Sequence, residues 1–247
     1  MKTFSWIGKW KVYEDFEGAK EHLPDLETAQ KTFDEKRELN SKGNEFDDEW
    51  EDEDFYFNLM IEACHKVGWT PINGGSYSAA FTHKELPNSI LKLYNDEHFS
   101  DINEGEFPTI DEEEIFSRLP DDERLMKRLA SNDFAIIVSK VSGINLDTFL
   151  KTSGYPSLQQ GIFKQIEDYI HMCLEHHVIP LDLNGSNVLV GEDLKVRFID
   201  YNRYMLLDQF LEFSERYLRD DRTALHVALE DLQDNYYKWY TNPLLTA

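Results

Sequence analysis

Residues 178–202, VIPLDLNGSNVLVGEDLKVRFIDYN, constrain the fold of this chain more than any other stretch. The runs NVLV and KVRFI favour β-strands, and the polar segment GEDL between them is typical of a tight turn. The pattern predicts a β-hairpin, with Asn187 at the start of one arm and Asp200 just past the end of the other. Because these two positions lie at the open end of the hairpin, we expect their side chains to lie close together. Asp182 lies on the loop that leads into this hairpin.

These three side chains suit one kind of chemistry. Mg²⁺ prefers oxygen ligands and usually takes one or two carboxylates, completing its shell with water and substrate phosphates. Asn187 and Asp200 therefore are the predicted metal ligands. A further carboxylate, that of Asp182, can orient a hydroxyl group and accept its proton. The stretch predicts phosphoryl transfer, with Asp182 as the catalytic base.

A candidate phosphate-binding loop lies earlier in the chain, in INGGSYSAAF at residues 72–81. Glycines let backbone N–H groups approach phosphate oxygens closely. The same pattern also fits an ordinary hairpin turn between two strands, and the sequence leaves both interpretations open. The residues predicted to contact a nucleotide here are Asn73, Gly74, Gly75, Ser76, Tyr77 and Ser78.

Lys92 is the candidate cation for the same nucleotide. It lies in SILKLY, where alternation places Ile90, Lys92 and Tyr94 on one face of a strand. That face can look toward the phosphate loop or toward solvent. The acid that would pair with Lys92 is one of Glu112, Glu113 and Glu114 in a predicted helix, or is absent.

The chain divides into three predicted regions. Residues 1–67 form an acidic, helical N-terminal extension, in which eight of ten residues at 45–54 (EFDDEWEDED) are acidic. Residues 68–141 form a small, mainly antiparallel sheet with one helix, built from WTPI, SAAF, SILKLY and FAIIVSKV. Residues 142–247 form a reduced helical region with helices from Leu158 to Leu174, in MLLDQFLEFSERYL and in TALHVALEDLQDNYYKWY. The predicted class is α+β.

Composition limits the partners. The chain has 48 acidic against 25 basic residues, a formal charge of −23. Such a surface repels a phosphate backbone or an anionic membrane, so we expect neither nucleic acid nor membrane as a direct partner. The two cysteines, Cys64 and Cys173, are too few for a disulfide framework. No long apolar run occurs near the N-terminus, so we expect a cytoplasmic protein.

The order of these parts resembles the protein-kinase-like two-lobed fold: glycine loop, strand lysine, apolar strand, long helix, Asp182, Asn187 and Asp200. The resemblance implies ATP and Mg²⁺ as cofactors. It also implies that Lys92 is catalytic and grips the α- and β-phosphates. AIIVSKVSGINL resembles the strand and hinge whose backbone meets adenine, which implies nucleotide contacts at Lys140 and Val141.

A narrower resemblance extends over residues 68–202. The segments GWTPINGGSYSAAFTHKELPNSILKLY and LDLNGSNVLVGEDLKVRFID are similar to the early serine/threonine protein kinases of T-seven-like bacteriophages. This similarity implies an ATP-dependent serine/threonine kinase in the host bacterial cytoplasm. Its substrates would be host proteins, basic ones suiting the acidic surface; the oligomeric state is not indicated.

The chain also departs from the common kinase pattern. Pro180 and Leu181 replace the usual His-Arg, which predicts activity without activation-loop phosphorylation. Asn184 stands where a phosphate-contacting lysine is usual. LDLNGSN and FIDYN also resemble aminoglycoside and choline kinases, so a small-molecule kinase is one alternative. A catalytically dead acidic pseudokinase that acts as a binding or inhibitor module is another.

Overall fold

A computed structural model of the 247-residue chain shows two compact units. Unit 1 comprises residues 1–105 and 128–140, and unit 2 comprises residues 106–127 and 141–247. The structure describes residues 4–13, 16, 19–41, 49–75, 78–94, 112–132, 135–154, 156–201, 204–210 and 224–236.

Unit 1 contains a seven-stranded antiparallel sheet with the order β1-β2-β6-β7-β5-β4-β3. Together with its helices, this sheet confirms the predicted α+β class. Each of the four segments predicted as strands contributes a strand to it. Its strands are β1 (Phe4–Ile7), β2 (Trp10–Tyr13), β3 (Trp69–Gly75), β4 (Ser78–His83), β5 (Leu86–Tyr94), β6 (Arg128–Ser131) and β7 (Ala135–Ser139).

The N-terminal residues differ from the expectation. We predicted a helical extension over residues 1–67, whereas residues 4–13 form β1 and β2 of the sheet. A turn at Gly8, whose φ is +57°, joins the two strands, and β2 pairs with β6 through Lys11↔Ser131 and Val12↔Ala130. This pairing joins residues more than 100 positions apart, so the local pattern did not reveal it.

Two helices accompany the sheet in unit 1, α1 (Ala19–Ser41) and α2 (Glu49–Lys66). Helix α2 ends at Lys66, just before Gly68, whose φ of +92° favours glycine. Of the acidic run at 45–54, residues 49–54 are helical and residues 45–48 lie outside the described part. Both helices contribute to one apolar cluster with the sheet, including Leu23, Leu26, Met60, Cys64, Trp69, Phe81, Leu91 and Leu93.

Unit 2 contains the predicted hairpin. Strands β10 (Val188–Val190) and β11 (Val196–Phe198) pair antiparallel, with Val188↔Phe198 and Val190↔Val196. In the turn, the Gly191 N–H donates to the Lys195 backbone oxygen and the Leu194 N–H donates to the Gly191 backbone oxygen. Leu194 takes a φ of +57°. Strand β8 (Ile144–Asn145) adds to β10 on the other side. The hairpin prediction is confirmed in both its arms and its turn.

A second, two-stranded ladder pairs β9 (Val178–Ile179) with β12 (Met205–Leu206). The predicted helix over residues 205–218 is therefore wrong at its start, because residues 205–206 pair as a strand. Residues 207–210 are helical, and residues 211–218 lie outside the described part. The described helices of unit 2 are α3 (Glu112–Arg118), α4 (Leu146–Thr152), α5 (Pro156–Glu175) and α6 (Ala224–Tyr236).

Helix α5 confirms the predicted apolar periodicity. Its fully buried residues include Ile166, Tyr169, Ile170 and Cys173. Burial raises the pKa of the Cys173 thiol to about 12, and it raises that of Cys64 to about 12 as well. Both cysteines are free thiols that stay protonated at neutral pH. Within the described part of the chain, no helix combines the length and apolar character of a membrane span.

Candidate phosphoryl-transfer loop

The loop between β9 and β10 brings two predicted site residues into direct contact. The side-chain amide nitrogen of Asn187 donates to the backbone oxygen of Asp182 at 3.0 Å and to its Oδ2 at 3.0 Å. The amide oxygen of Asn187 lies 3.4 Å from the Ser186 hydroxyl and has a further lone pair for another group. The five-residue spacing thus places a carboxylate and an amide oxygen side by side.

A third side chain, Asn184, completes the contacts of this carboxylate. Its Nδ2 donates to Asp182 Oδ1 at 2.6 Å. Its Oδ1 accepts from the backbone N–H of Ser186 at 2.9 Å and from the Ser186 hydroxyl at 2.5 Å. Both oxygens of Asp182 therefore accept an amide donor. We predicted only that Asn184 replaces a lysine; its tendency to bond the N–H two residues on was the available signal.

Asp200 lies two residues beyond the end of β11, next to this loop in the hairpin ladder. The backbone N–H of Ile199 donates to the backbone oxygen of Asn187 at 2.9 Å, which continues the β10–β11 pairing by one step. This bond places the backbone of Asn187 beside Ile199, one residue before Asp200, and the meeting of the Asn187 and Asp200 side chains stays a prediction. Asp182 and Asp200 also share a rare backbone conformation, with φ of +58° and +67°. Left-handed non-glycine residues often occur at functional sites.

Tyr201 anchors the chain immediately after Asp200. Its hydroxyl accepts the Met126 N–H at 3.0 Å and donates to the Phe198 backbone oxygen at 3.3 Å. Its ring meets the edge of Phe116 on α3 with centroids 4.9 Å apart. Tyr201 is fully buried, so Asp200 is fixed between a strand and a buried aromatic side chain.

The segment before β6 supports the same region. Phe198 N–H donates to the Arg124 backbone oxygen at 2.9 Å, and Leu125 forms a parallel bridge with Phe198. The Arg124 side chain bonds Asp122 at 2.7 Å, and this hydrogen bond holds the pKa of the Asp122 carboxyl below its usual range. A paired acid and base thus stiffen the strand-like segment that flanks β11.

Gly185 lies against the side chain of Asp147. A Cβ at this buried position would lie 2.2 Å from Cγ of Asp147. Asp147 is in the first turn of α4, a helix capped by Asn145, whose side chain accepts the Thr148 N–H at 2.9 Å. The loop that carries Asp182 therefore passes directly over a second, exposed carboxylate. No local sequence signal indicates this contact.

Lys92 belongs to unit 1 and lies in β5, an interior strand of the sheet. It pairs in register with Ala80 of β4 and Ile136 of β7, and only 7% of it is exposed. A buried lysine is unusual, because burial of an ammonium group without compensation is costly. Leu91 and Leu93 join the apolar cluster, so Lys92 lies on the opposite face of the sheet.

The acid predicted to pair with Lys92 stays undecided. Glu114 Oε1 accepts a hydrogen bond from Arg118 at 2.7 Å within α3. The side chains of Glu112 and Glu113 lie outside the described part. The structure shows Arg118 as one partner of Glu114, and the pairing of Lys92 with any of the three acids stays a prediction.

The predicted phosphate loop forms the connection between β3 and β4. Gly75 pairs with Ser78, and the register shifts between Ile72 and Gly75, across Asn73 and Gly74. Ser76 and Tyr77, at the tip, lie outside the described residues, as do the side chains of Asn73 and Ser78. A hairpin is thus present, and a role for it in phosphate binding stays a prediction.

The predicted adenine-contacting segment is where the chain passes from one unit to the other. Lys140 closes unit 1, and its N–H donates to the Asn88 backbone oxygen at 2.7 Å. Val141 is the first residue of the second segment of unit 2 and is half-buried. The hydrogen bond extends the β5–β7 pairing to the last residue of the unit.

The predicted metal ligands fit Mg²⁺ in type. Asn187 and Asp200 offer an amide oxygen and a carboxylate, both of the hard oxygen kind, which leaves the remaining positions for phosphates and water. Within the described part, no group of three or more His, Cys, Asp or Glu side chains could hold a metal ion. No protein-family model and no curated protein matches the chain.

Proposed function

We propose that the chain is an ATP-dependent serine/threonine protein kinase with a two-lobed, protein-kinase-like fold. The observation that carries the proposal is the double hydrogen bond from the Asn187 amide to Asp182. It joins a predicted metal ligand to the predicted base in a loop that leads directly into the predicted hairpin. The resemblance of the segments around Lys92 and Asp182 to phage protein kinases favours host proteins as substrates.

The proposed reaction is an in-line displacement. The hydroxyl oxygen of a substrate Ser or Thr forms a bond to the γ-phosphorus of ATP, and the bond from that phosphorus to the β–γ bridging oxygen breaks. The hydroxyl proton passes to the carboxylate of Asp182, whose two oxygens each retain a lone pair after accepting an amide donor. Lys92 is assigned to the α- and β-phosphates.

Asn187 and Asp200 would hold Mg²⁺. When bound, this ion neutralises charge that develops on the transferred phosphoryl group. The bond from the Ile199 N–H to the Asn187 backbone oxygen supports this assignment, because it holds the backbone next to both residues side by side.

The test is incubation of the purified chain with γ-labelled ATP, Mg²⁺ and a bacterial lysate depleted of endogenous ATP. We expect newly labelled protein bands that contain phosphoserine or phosphothreonine. Label only in a small molecule would favour the aminoglycoside-like alternative. No label above that of the lysate alone would contradict kinase activity of either kind.

Asp182→Ala separates chemistry from binding. We expect transfer to fall by about 100-fold or more, while ATP affinity measured by calorimetry stays within about twofold, because the base does not contact the nucleotide in the ground state. Asp208→Ala, an exposed aspartate of unit 2, is the matched control. Wild-type rates in Asp182→Ala would show that the role given to Asp182 is wrong.

A further inference from the structure

We infer that Asn184 is a positioning residue that fixes the carboxylate of Asp182, and that Ser186 holds Asn184 in the orientation this requires. The inference rests on the proposed function for its catalytic consequence. The underlying hydrogen-bond arrangement can be tested without it.

The short contact between Asn184 and Asp182 is the first support. The amide nitrogen lies 2.6 Å from Oδ1, which is short even for a bond to a carboxylate. Asn187 occupies Oδ2 at 3.0 Å from the other side. A carboxylate with one donor on each oxygen cannot rotate about its terminal bond without breaking at least one of them.

The two bonds from Ser186 are the second support, because they fix which way the Asn184 amide faces. The amide oxygen accepts both the N–H and the hydroxyl of Ser186. If the amide turned by half a rotation, its NH₂ group would face the Ser186 N–H and its oxygen would face the carboxylate of Asp182. Two donors would then meet on one side and two acceptors on the other. Ser186 therefore keeps the donor of Asn184 aimed at Asp182.

The backbone of the loop agrees with this arrangement. The Asn187 N–H donates to the Asn184 backbone oxygen at 3.0 Å, which closes a tight turn over residues 184–187. Asp182 has a left-handed backbone, which is uncommon for a residue other than glycine. Its carboxylate needs hydrogen-bond partners to hold one orientation. A neutral amide supplies such a partner without adding charge beside the transferred phosphate. Asn184 therefore orients the Asp182 carboxylate without itself binding phosphate.

A purely structural role for Asn184 makes a different prediction. Asn is a frequent turn residue because its side-chain oxygen accepts a backbone N–H. Asp supplies the same oxygen, so a turn-forming role alone tolerates Asn184→Asp. Leu matches the size of Asn but offers neither donor nor acceptor. Gln keeps the donor on a longer side chain, so it is the conservative variant that can restore function.

The kinetic test measures kcat and the KM for ATP in these variants. A displacement of about 1 Å at a reacting group lowers the reaction rate by up to about 100-fold. We therefore expect kcat to fall by about 10- to 100-fold in Asn184→Leu and in Asn184→Asp. The KM for ATP should stay within about twofold of wild type. Asn184→Gln should recover part of the loss. Ser186→Ala should lose about two- to fivefold, because the backbone bond remains. Ser157→Ala, an exposed serine on α5, is the matched control.

The second readout is the NMR spectrum of the ¹⁵N-labelled full chain. A bond to the carboxylate should shift one Asn184 side-chain amide proton downfield and slow its exchange with water, and Asp182→Ala should remove both effects. The same spectra show whether each variant is folded. A wild-type Asn184 amide that exchanges like an exposed one, or unchanged kcat in Asn184→Leu, would overturn the inference.

The two readouts also separate this inference from the proposed function. If the wild-type chain transfers no phosphate, kinase activity is refuted, and the amide-proton result alone decides whether Asn184 fixes Asp182. If the chain is active and Asn184→Leu is as active as wild type, the kinase proposal stands and the positioning role is refuted.

Discussion

The cores of the two units are stabilised in different ways. In unit 1, one apolar cluster of leucine, phenylalanine and tryptophan side chains joins the sheet to α1 and α2. In unit 2, tyrosine hydroxyls form specific bonds inside the core: Tyr169 bonds Tyr204 at 2.8 Å, and Tyr201 bonds the Met126 backbone. Apolar packing has no preferred direction, whereas hydrogen bonds fix particular groups. The core that contains these hydrogen bonds lies in unit 2, which also carries Asp182, Asn187 and Asp200.

The largest expected effect tests the apolar core of unit 1. Phe81 is fully buried on β4, so Phe81→Ala should lower the free energy of unfolding by about 3–5 kcal/mol. Denaturant unfolding followed by tryptophan fluorescence measures this, because Trp10 and Trp69 lie in the same cluster. Glu62→Ala, an exposed change on α2, is the control. A loss below about 1 kcal/mol would contradict a tightly packed cluster.

The next largest effect tests the tyrosine hydrogen bonds in the core of unit 2. Tyr169→Phe removes one partner of a buried hydroxyl pair and should cost about 1–3 kcal/mol, because the Tyr204 hydroxyl loses this bond. Burial raises the pKa of both phenols well above their usual range, so ionisation does not compensate.

A double variant sharpens this test. Tyr169→Phe with Tyr204→Phe should be less destabilised than the sum of the two single changes, because no unpaired hydroxyl then remains in the pair. The measurement is a double-mutant cycle of unfolding free energies. Strictly additive losses would show that the bond between the two hydroxyls contributes nothing specific.

A smaller effect tests the packing of the loop between β9 and β10. Gly185→Ala makes the exposed Asp147 carboxylate move aside and should cost at most about 1 kcal/mol. Asp147→Ala should relieve this clash, so the double variant should regain most of the stability. If Gly185→Ala is equally destabilising with and without Asp147, the contact with Asp147 is not the cause.

The smallest effect concerns pH and returns to unit 1. His83 is buried beside His22, with ring centroids 4.6 Å apart, and burial followed by the charge of His22 lowers the pKa of His83. The unfolded chain therefore binds a proton at this side chain more readily than the folded chain. Stability should fall as the pH drops below about 6.5, where the unfolded imidazole becomes charged.

His83→Leu should flatten this dependence. The measurement is the free energy of unfolding between about pH 7 and pH 5, compared with His65→Leu at an exposed site on α2. Glu85, Lys84 and Asp25 also act on His83, the two acids opposing the shift. An equally steep slope in His83→Leu would assign the pH dependence to other groups.

Much of the candidate site could be predicted from local sequence. The hairpin around GEDL, with Asn187 before one arm and Asp200 after the other, follows from strand propensity and turn chemistry within about twenty residues. The contact of Asn187 with Asp182 is likewise local, five residues apart. The hydrogen bond from Asn184 to Asp182 spans only two residues, yet it was not predicted. Asn184 was interpreted only as the replacement of a lysine, which concerns charge and not hydrogen bonding.

Other features depend on residues far apart in the chain. Residues 4–13 were assigned to a helical extension, yet β2 pairs with β6. Met126 bonds the Tyr201 hydroxyl across 75 residues. Residues 205–206 carry apolar side chains that suit a helix, and they form a strand because β9 offers a free edge to pair with. Propensity is a weak guide wherever such a partner exists.

The sequence by itself determined the α+β class, the hairpin and the order of Lys92, Asp182, Asn187 and Asp200, since periodicity and turn residues act over short distances. Only the tertiary structure decided that the N-terminal residues complete the sheet, that Lys92 is buried, and that Gly185 lies against the side chain of Asp147. The physical reason is that burial and steric contact depend on which distant segments pack together, and no short stretch of sequence contains that information.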